Sequence, residues 1–264
     1  MKNPILERVP AGLIDVLRRS KRIVKARIAP EKDTQQIFSE IYRKGHWKKA
    51  AQEQETAATE DSSKFSSGIG SSQRAIVEPY LQTIQQQLNS FKHTAHAPVT
   101  LVDLGCGDFQ VSRAFVESVD SYIGTDIVPD VVAYNQSQYG SAQVEFRHLN
   151  IVEDALPQGD VALIRQVLQH LSNAQILKIL PKFAQYKAVF VTEHYPSPNP
   201  DIVPNKDWIT GRGIRILENS GVFLDHAPFN QFGYQLEEIL EVPGHNIGYG
   251  IDPGVIKTYK LLPS

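Results

Sequence analysis

The chain has 264 residues, of which 41% are hydrophobic and 21% charged, and its formal net charge is −2. This composition is typical of a globular protein and excludes a disordered or collagen-like chain, while the small net charge gives no general attraction to nucleic acid. Cys106 is the single cysteine, which excludes an intramolecular disulfide and a cysteine-rich zinc site. We predict one α/β domain with an N-terminal addition and no nucleic-acid partner.

The first 30 residues predict a basic amphipathic helix. Apolar side chains in residues 13–28 share one helical face and are surrounded by arginine and lysine. This helix either packs on its own protein or contacts an anionic membrane surface. The chain has no apolar run of the roughly 20 residues that span a bilayer, and its start lacks the features of a signal peptide. We therefore expect a cytoplasmic protein, with the inner face of the membrane as the alternative location.

Residues 31–95 predict a helical lid or N-terminal extension. Apolar residues recur at helical spacing from Thr34 to Trp47, and Gly45 can end that helix. Residues 51–72 are polar and serine-rich, which is typical of a mobile connection or lid. A second helix is predicted from Val77 to Phe91, with Pro79 in its first turn.

Residues 96–264 predict a Rossmann-like, doubly wound sheet, because strand and helix patterns alternate along the chain. Pro129 and Gly140 bracket one helix, and Ser172 with Gln175 forms a capping-box pattern at the start of another. Pro181 should end or kink that second helix. The five predicted parallel strands are 99–105, 121–127, 143–149, 160–166 and 187–194.

Two further strand candidates, at 234–242 and 255–262, follow near the C-terminus. The residues between them are rich in glycine and contain a proline, which favours a long hairpin. We therefore expect an antiparallel hairpin added to the edge of a mostly parallel sheet. Between the fifth strand and this hairpin, residues 195–233 predict a substrate loop.

The strongest candidate ligand site follows the first predicted strand. Gly105 and Gly107, separated by Cys106, permit a tight turn and a close approach of the backbone to a ligand. Asp103 and Asp108 flank the turn and are suited either to receive an ammonium group or to orient the loop amides.

Asp126, followed by Ile127, ends the second strand about 20 residues after the glycine turn, the spacing at which a carboxylate accepts hydrogen bonds from a ribose. The glycine turn and Asp126 together indicate an adenosine-containing ligand. A nicotinamide dinucleotide is the competing interpretation, but its fingerprint requires a third glycine where this chain has Gln110. The pattern favours a methyltransferase over a dehydrogenase.

After the third strand, Asn150 and Ile151 are placed to contact adenine, where the Asn150 amide either bonds the adenine amino group or caps the turn. After the fourth strand come Arg165, Gln166 and His170, where an acceptor should lie. His170 immediately precedes a helix cap, so a structural hydrogen bond and a catalytic role both remain open.

Glu193 and His194 end the fifth strand. A carboxylate beside an imidazole is suited to deprotonating an acceptor hydroxyl, and the alternative is a surface pair on the following loop. Asp126, Asn150 and this pair include metal donors, but their spacing is not diagnostic, so we predict no metal.

Several strings resemble class I methyltransferases that are encoded among bacterial surface-polysaccharide genes. The resemblance covers about residues 34–262, and RQVLQHLS (165–172) is its most specific string. The other strings that carry it are IFSEIYRKGHW, SGIGS (67–71), VDLGCGDFQ, YIGTDIVPDVVAYNQ, GDVALIRQVLQHLSNAQI and VFVTEHYPSPNPD. It implies the Rossmann-like methyltransferase fold, S-adenosylmethionine as cofactor, and cofactor roles for Asp103, Gly105, Gly107 and Asp126. Such proteins commonly have aspartate where this chain has Asn150.

Two sets of site residues follow. The predicted cofactor-binding residues are Ser67, Gly68, Asp103, Gly105, Cys106, Gly107, Asp108, Asp126, Ile127, Asn150, Ile151 and Gln166. The predicted catalytic residues are Arg165, His170, Glu193 and His194.

For the acceptor, the resemblance suggests a hydroxyl of a sugar or surface-glycan precursor. Another small molecule, a phosphorus-containing acceptor, or a non-catalytic adenosine-binding protein remains an alternative. Residues 196–208 are too rich in proline for a helix and should form a stiff flap beside the site. Arg212, Arg215 and His226 follow it, and each either meets an anionic acceptor or is solvated. The sequence does not indicate whether the protein is a monomer or an oligomer.

Overall fold

A computed structural model describes residues 33–48, 64–95, 97–246 and 252–263. The predicted basic helix at 13–28 and the part of the serine-rich stretch before Lys64 lie outside these residues. Within the described part of the chain, no helix is both long enough and apolar enough to cross a membrane.

The described residues form one seven-stranded sheet with the order β3-β2-β1-β4-β5-β7-β6. Strands β1 to β5 are parallel where they pair, and β7 runs antiparallel between β5 and β6. The fold predicted from the sequence, a mostly parallel sheet with an antiparallel C-terminal hairpin, is confirmed. The strands are β1 (Thr100–Leu104), β2 (Ser121–Asp126), β3 (Val144–His148), β4 (Val161–Arg165), β5 (Ala188–Tyr195), β6 (Gln235–Pro243) and β7 (Val255–Leu262).

The α-helices begin and end largely where local signals predict. Gly45 lies just beyond the first helix in the left-handed region, with φ 59°. Ser172 and Gln175 form the predicted capping box, and a 3₁₀-helix containing Pro181 follows that helix directly. The helices are α1 (Thr34–Arg43), α2 (Ile69–Ser72), α3 (Arg74–Ala95), α4 (Pro129–Tyr139) and α5 (Asn173–Ile179).

Two predicted helices differ from the structure. Helix α3 begins at Arg74, so Pro79 lies in its interior and not in its first turn. The predicted stripe begins at Val77 and leaves out Ile76, which is buried in the first turn of the helix, so the predicted start is three residues late. The segment after the glycine turn, Ser112–Ser118, is a 3₁₀-helix, although the α-helical spacing of Val111, Ala114, Phe115 and Val119 predicts an α-helix there.

The core lies on both faces of the sheet, as parallel strands require. On one face, Leu104 and Ile164 belong to a cluster with Ile176 of α5. On the other face, Leu101 and Phe190 pack in a cluster with α3. Because side chains cover both faces of the sheet, the carboxyl ends of the parallel strands are the open edge of the domain.

Candidate functional site

A cavity opens at the carboxyl ends of β1 to β4, the edge at which doubly wound sheets bind ligands. It encloses about 780 Å³ of empty space, part of it open to solvent. Its lining combines both predicted sets with residues from α1 and α2. The lining residues are Thr34, Phe38, Tyr42, Trp47, Ser67, Ser71, Gly105, Gly107, Asp126, Ile127, Leu149, Asn150, Ile151, Val152, Arg165, Gln166, Val167, His170 and Leu171.

The glycine turn forms the floor of this cavity, and both glycines are required there. Gly105 has φ 84° and Gly107 has φ 55°, conformations that L side chains rarely adopt. A Cβ atom on Gly105 would lie 2.6 Å from Cγ2 of Val167, and one on Gly107 would lie 2.2 Å from Oγ of Ser67. The turn therefore presents bare backbone to a ligand.

Asp126 stands beside the turn, with only 7% of its surface exposed. Its Oδ2 accepts a hydrogen bond from the Gly107 amide at 3.1 Å, and its Oδ1 accepts one from the Val128 amide at 2.9 Å. Burial raises the pKa of this carboxyl to about 6, although the two amide bonds oppose that shift. The carboxylate is thus fixed in place and keeps lone pairs that can accept the two hydroxyls of a ribose.

The far end of the cavity suits a flat, apolar ring, since Leu149, Ile151 and Val152 line it. Asn150 lies among them, and its Oδ1 already accepts the Val152 amide at 3.0 Å. Of the two roles that the sequence left open for Asn150, the structure therefore shows the capping of the turn. The Asn150 amide group remains as a donor, which suits a ring nitrogen of adenine and not its amino group.

Four predicted cofactor residues lie behind the cavity wall and do not line it. Asp103 is 3% exposed and accepts a hydrogen bond from the Tyr122 hydroxyl at 2.7 Å, so it supports the turn from below. Asp108 bonds the backbone amide of Ser67 at 2.8 Å. Cys106 is buried, and Gly68 is covered by the Trp47 side chain. Direct ligand contact by these four is a prediction that this geometry does not support.

Arg165 and Gln166 line the cavity at the end of β4. The Arg165 Nη1 donates to the Ser71 hydroxyl at 3.1 Å, its Nη2 donates to the Gly70 carbonyl, and the guanidinium lies 4.9 Å from the centre of the Tyr80 ring. Gln166 has φ 55°, and its side chain packs against Gly70. The Arg165 Nε and the Gln166 Nε2 are buried and have no partner among the described residues.

His170 lies at the acceptor end of the cavity, where the predicted substrate loop reaches it. Its Nδ1 is 3.1 Å from the carbonyl oxygen of Gly211 and 3.0 Å from that of Gly213. Only a protonated Nδ1 can satisfy two carbonyls, so Nε2 of the neutral ring keeps its lone pair. Burial lowers the pKa of His170 to about 4, which keeps the ring neutral at pH 7. The Trp47 ring centre is 5.4 Å away.

Glu193, predicted as part of a general-base pair, is fully buried and does not line the cavity. Its Oε1 accepts the amides of Val167 at 3.2 Å and Leu168 at 2.8 Å, and its Oε2 accepts the amide of Gln169 at 3.1 Å. The carboxylate therefore holds the loop that carries His170 and has no free path to a substrate.

His194 is separated from Glu193 because adjacent residues of β5 point to opposite faces of the sheet. Its Nε2 lies 2.5 Å from the carbonyl oxygen of Pro253, and its ring centre is 4.9 Å from that of His245. The predicted Glu193–His194 pair is thus not formed. In the described ranges, no three histidine, cysteine, aspartate or glutamate side chains group as a metal site.

The two roles predicted for Arg215, contact with an anionic acceptor or exposure to solvent, are both wrong. It is fully buried and donates to the Asn173 side chain and to the carbonyls of Lys206 and Leu171, each at 2.7 Å. It therefore ties the substrate loop to the start of α5. Arg212 and His226 are exposed.

The sequence did not indicate that α1 contributes to the cavity wall. Thr34, Phe38 and Tyr42 of α1 line the cavity together with Trp47 and Ser71. The apolar spacing of α1 predicts a packing face, which hides the fact that this face meets a ligand cavity. The tryptophan directly after a helix end and the SGIGS string were the available signals.

Residues 102–184 match the family model described as a methyltransferase domain. The matched range includes the glycine turn, Asp126 and His170, so it contains the floor of the cavity and part of each end. A comparison with curated protein sequences gave no match.

Among solved structures, the N-methyltransferase NodS from Bradyrhizobium japonicum WM9, in complex with S-adenosylhomocysteine, is similar, with a TM-score of 0.52 at 10% identity over 83% of this chain and 98% of that one. The methyltransferase domain of a bacterial protein, CtHen1, gives 0.47 at 15% identity over 69% and 97%. The bifunctional kinase-methyltransferase WbdD gives 0.46 at 17% identity over 70% and 39%.

The likeness to NodS shows that the fold is shared, and the domain match supplies the activity. The bare glycine turn, the fixed Asp126 carboxylate and the apolar slot around Asn150 fit the methionine, ribose and adenine parts of S-adenosylmethionine, the predicted cofactor. The chain is an S-adenosylmethionine-dependent methyltransferase with a Rossmann-like fold.

Proposed function

We propose that the chain transfers a methyl group to a hydroxyl of a sugar or surface-glycan precursor, with His170 as the general base. The observation that carries the proposal is the pair of carbonyls, from Gly211 and Gly213, that hold Nδ1 of His170 at 3.1 and 3.0 Å. They fix the tautomer whose Nε2 can accept a proton, on a side chain that lines the cavity.

An alcohol acceptor needs such a base. S-adenosylmethionine supplies an activated methyl group when bound, so the protein has to align the acceptor oxygen and remove its proton. In the proposed step the hydroxyl proton passes to Nε2 of His170 as the oxygen–carbon bond forms and the carbon–sulfur bond breaks. The two carbonyls that accept from Nδ1 then stabilise the imidazolium, which opposes the lowering of the His170 pKa by burial.

The aromatic wall beside His170 supports a sugar-like acceptor. Trp47 and Phe38 both line the cavity, with ring centres 5.4 and 6.4 Å from that of His170. Aromatic rings offer a rigid apolar platform, which suits the apolar face of a sugar ring whose hydroxyls point sideways. The resemblance to methyltransferases of polysaccharide gene clusters favours the same acceptor.

The test is methyl transfer from labelled S-adenosylmethionine to a panel of nucleotide sugars and oligosaccharides, with the product located by mass spectrometry. His170→Asn keeps a donor toward the two carbonyls but removes the base. It should lower kcat by roughly 10²- to 10⁴-fold with little change in affinity for S-adenosylhomocysteine. His226→Gln, which changes an exposed histidine of the substrate loop, is the control. Unchanged kcat in His170→Asn, or methylation only of nitrogen or phosphorus-containing acceptors, would contradict the proposal.

We also infer that the basic segment at residues 13–28 contacts anionic lipid, which would hold the enzyme at the inner face of a membrane. The support is its pattern of arginine and lysine around an apolar stripe. Full-length protein should bind vesicles containing anionic lipid in a salt-sensitive manner, and removal of residues 1–30 should abolish this binding. Equal binding by both proteins would rule out the contact.

A further inference from the structure

Among the described residues Arg165, on the cavity wall, forms no ion pair, although Asp103, Asp108 and Glu193 lie near enough to favour its charged form. Its hydrogen bonds go to the Ser71 hydroxyl and the Gly70 carbonyl, both neutral, and its Nε is buried with no partner. Among the described residues no carboxylate lies within ion-pairing distance of it. Because guanidinium groups below the surface are normally paired with an anion, Arg165 has room for one from a ligand.

The strand register places Arg165 opposite Asp126 across the glycine turn. In the β1–β2 pair Leu104 is level with Thr125, and in the β1–β4 pair Asp103 is level with Leu163. Continuing both registers brings Gly105 level with Asp126 on one side and with Arg165 on the other. Two strand spacings separate the backbones of those two residues by about 10 Å.

This arrangement matches the cofactor. S-adenosylmethionine carries one anionic group, the methionine carboxylate, at the end opposite its adenosine. With the ribose at Asp126 and the methionine part on the glycine turn, that carboxylate is directed toward β4. We propose that Arg165 binds the methionine carboxylate of the cofactor, and so acts on the cofactor and not, as the sequence suggests, on the acceptor.

The segment around α2 holds the guanidinium in place for this task. Ser71 and Gly70 engage one donor on each Nη, which leaves three of the five N–H groups of Arg165 without a protein acceptor. Gly70 also leaves space for the Gln166 side chain beside it, because a Cβ there would lie 2.2 Å from Oε1 of Gln166. A planar guanidinium fixed at two corners is preorganised for a carboxylate.

The experiment uses two ligands and calorimetry, and it depends on the cofactor but not on the proposed acceptor or base. S-adenosylhomocysteine carries the carboxylate, and its decarboxylated analogue keeps the adenosine, sulfur and amine. Wild-type protein should bind S-adenosylhomocysteine more tightly, on the order of 10- to 100-fold. Arg165→Gln should remove this preference by weakening S-adenosylhomocysteine alone, and Arg165→Lys should keep part of it. Arg113→Gln, which removes an exposed arginine, is the matched control.

The outcomes separate the possibilities. Wild-type protein that binds both ligands equally overturns the proposal without any variant, so a variant that fails to fold does not obscure the result. Arg165→Gln that keeps the preference, with a raised KM for the acceptor, also overturns it and returns Arg165 to the acceptor site. Wild-type protein that binds neither ligand would contradict the cofactor assignment itself. Ser71→Ala should reduce the preference in the same direction as Arg165→Gln, because it frees one corner of the guanidinium.

Discussion

Ser67 and Asp108 exchange two hydrogen bonds across the edge of the cofactor cavity. The Ser67 amide donates to Oδ2 of Asp108 at 2.8 Å, and the Asp108 amide donates to Oγ of Ser67 at 3.0 Å. The Tyr42 hydroxyl lies 3.4 Å from the same Oγ. The pair therefore fastens the N-terminal extension to the glycine turn, so that the wall contributed by α1 and the floor of the cavity are held together.

Breaking this pair should loosen the wall. We expect Ser67→Ala and Asp108→Ala each to weaken S-adenosylhomocysteine binding, by about 1 kcal/mol for each hydrogen bond lost. Hydrogen exchange should rise in residues 33–48, because the extension loses its attachment. The effects should be non-additive in the double variant, by at least about 0.5 kcal/mol, because both changes break one unit. Additive effects, or equal effects from the exposed Ser137→Ala control, would contradict the role of the pair.

Asp126 should make cofactor affinity depend on pH. Its carboxyl has a pKa raised by burial to about 6, whereas the ribose hydroxyls need the ionised form as acceptor. Binding then lowers this pKa, so affinity should be constant above pH 6 and fall up to about tenfold for each unit below it. Calorimetry with S-adenosylhomocysteine between pH 4.5 and 8 measures this.

Asp126→Asn separates this carboxyl from other groups. The variant should bind more weakly at pH 7.5, on the order of 1.5 to 3 kcal/mol for lost bonds to a charged group. Its affinity should also lose the fall below pH 6, since no carboxyl is left to titrate. The exposed Asp130→Asn should behave as wild type. Wild-type affinity in Asp126→Asn would show that the ribose does not lie there.

Much of the fold was predictable because it rests on local patterns. The predicted strand at 255–262 coincides with β7, and the capping box at Ser172 marks the start of α5. In both cases the hydrophobic period or the cap is contained in neighbouring residues. The start of α3 at Arg74 was missed, because the apolar stripe was taken to begin at Val77 although Ile76 in the first turn is buried.

In the site, local patterns predict the glycine turn and its companion carboxylate but not the surroundings of the charged side chains. Gly105, Gly107 and Asp126 act through backbone geometry and spacing, which the sequence retains. The roles of Glu193 and Arg215 depend on which distant amides and carbonyls surround them, and no local pattern reports that. Both are of a residue type expected in a catalytic or binding site, yet both serve the structure from full burial.

Gly105→Ala should abolish measurable cofactor binding and destabilise the fold. Alanine at this position would have to adopt φ 84°, which costs of order 1–3 kcal/mol for an L residue. Its methyl group would also lie 2.6 Å from Cγ2 of Val167. Adding Val167→Ala restores the space but not the backbone conformation. The double variant should therefore recover part of the lost stability in thermal unfolding. Full recovery would show that only the contact with Val167 matters.

Glu193→Gln distinguishes a structural carboxylate from a catalytic base. The amide keeps one oxygen for the amides of Val167 and Leu168 but cannot accept the Gln169 amide, so the free energy of unfolding should fall by roughly 1 to 3 kcal/mol. With the variant still folded, kcat at saturating ligands should change little. A large loss of kcat with unchanged stability would restore Glu193 as the base. The exposed Glu153→Gln is the control.

The same variant should change how stability depends on pH. Burial raises the pKa of Glu193 to about 8, above the ordinary 4.5 of a glutamate in the unfolded chain. A folded-state pKa above the unfolded one stabilises the fold fully below pH 4.5, and this contribution is lost as the pH rises through 8. The wild-type Tm should therefore fall more steeply than that of Glu193→Gln between pH 4.5 and 8. Parallel Tm curves for the two proteins would show that the three amide bonds keep Glu193 ionised throughout.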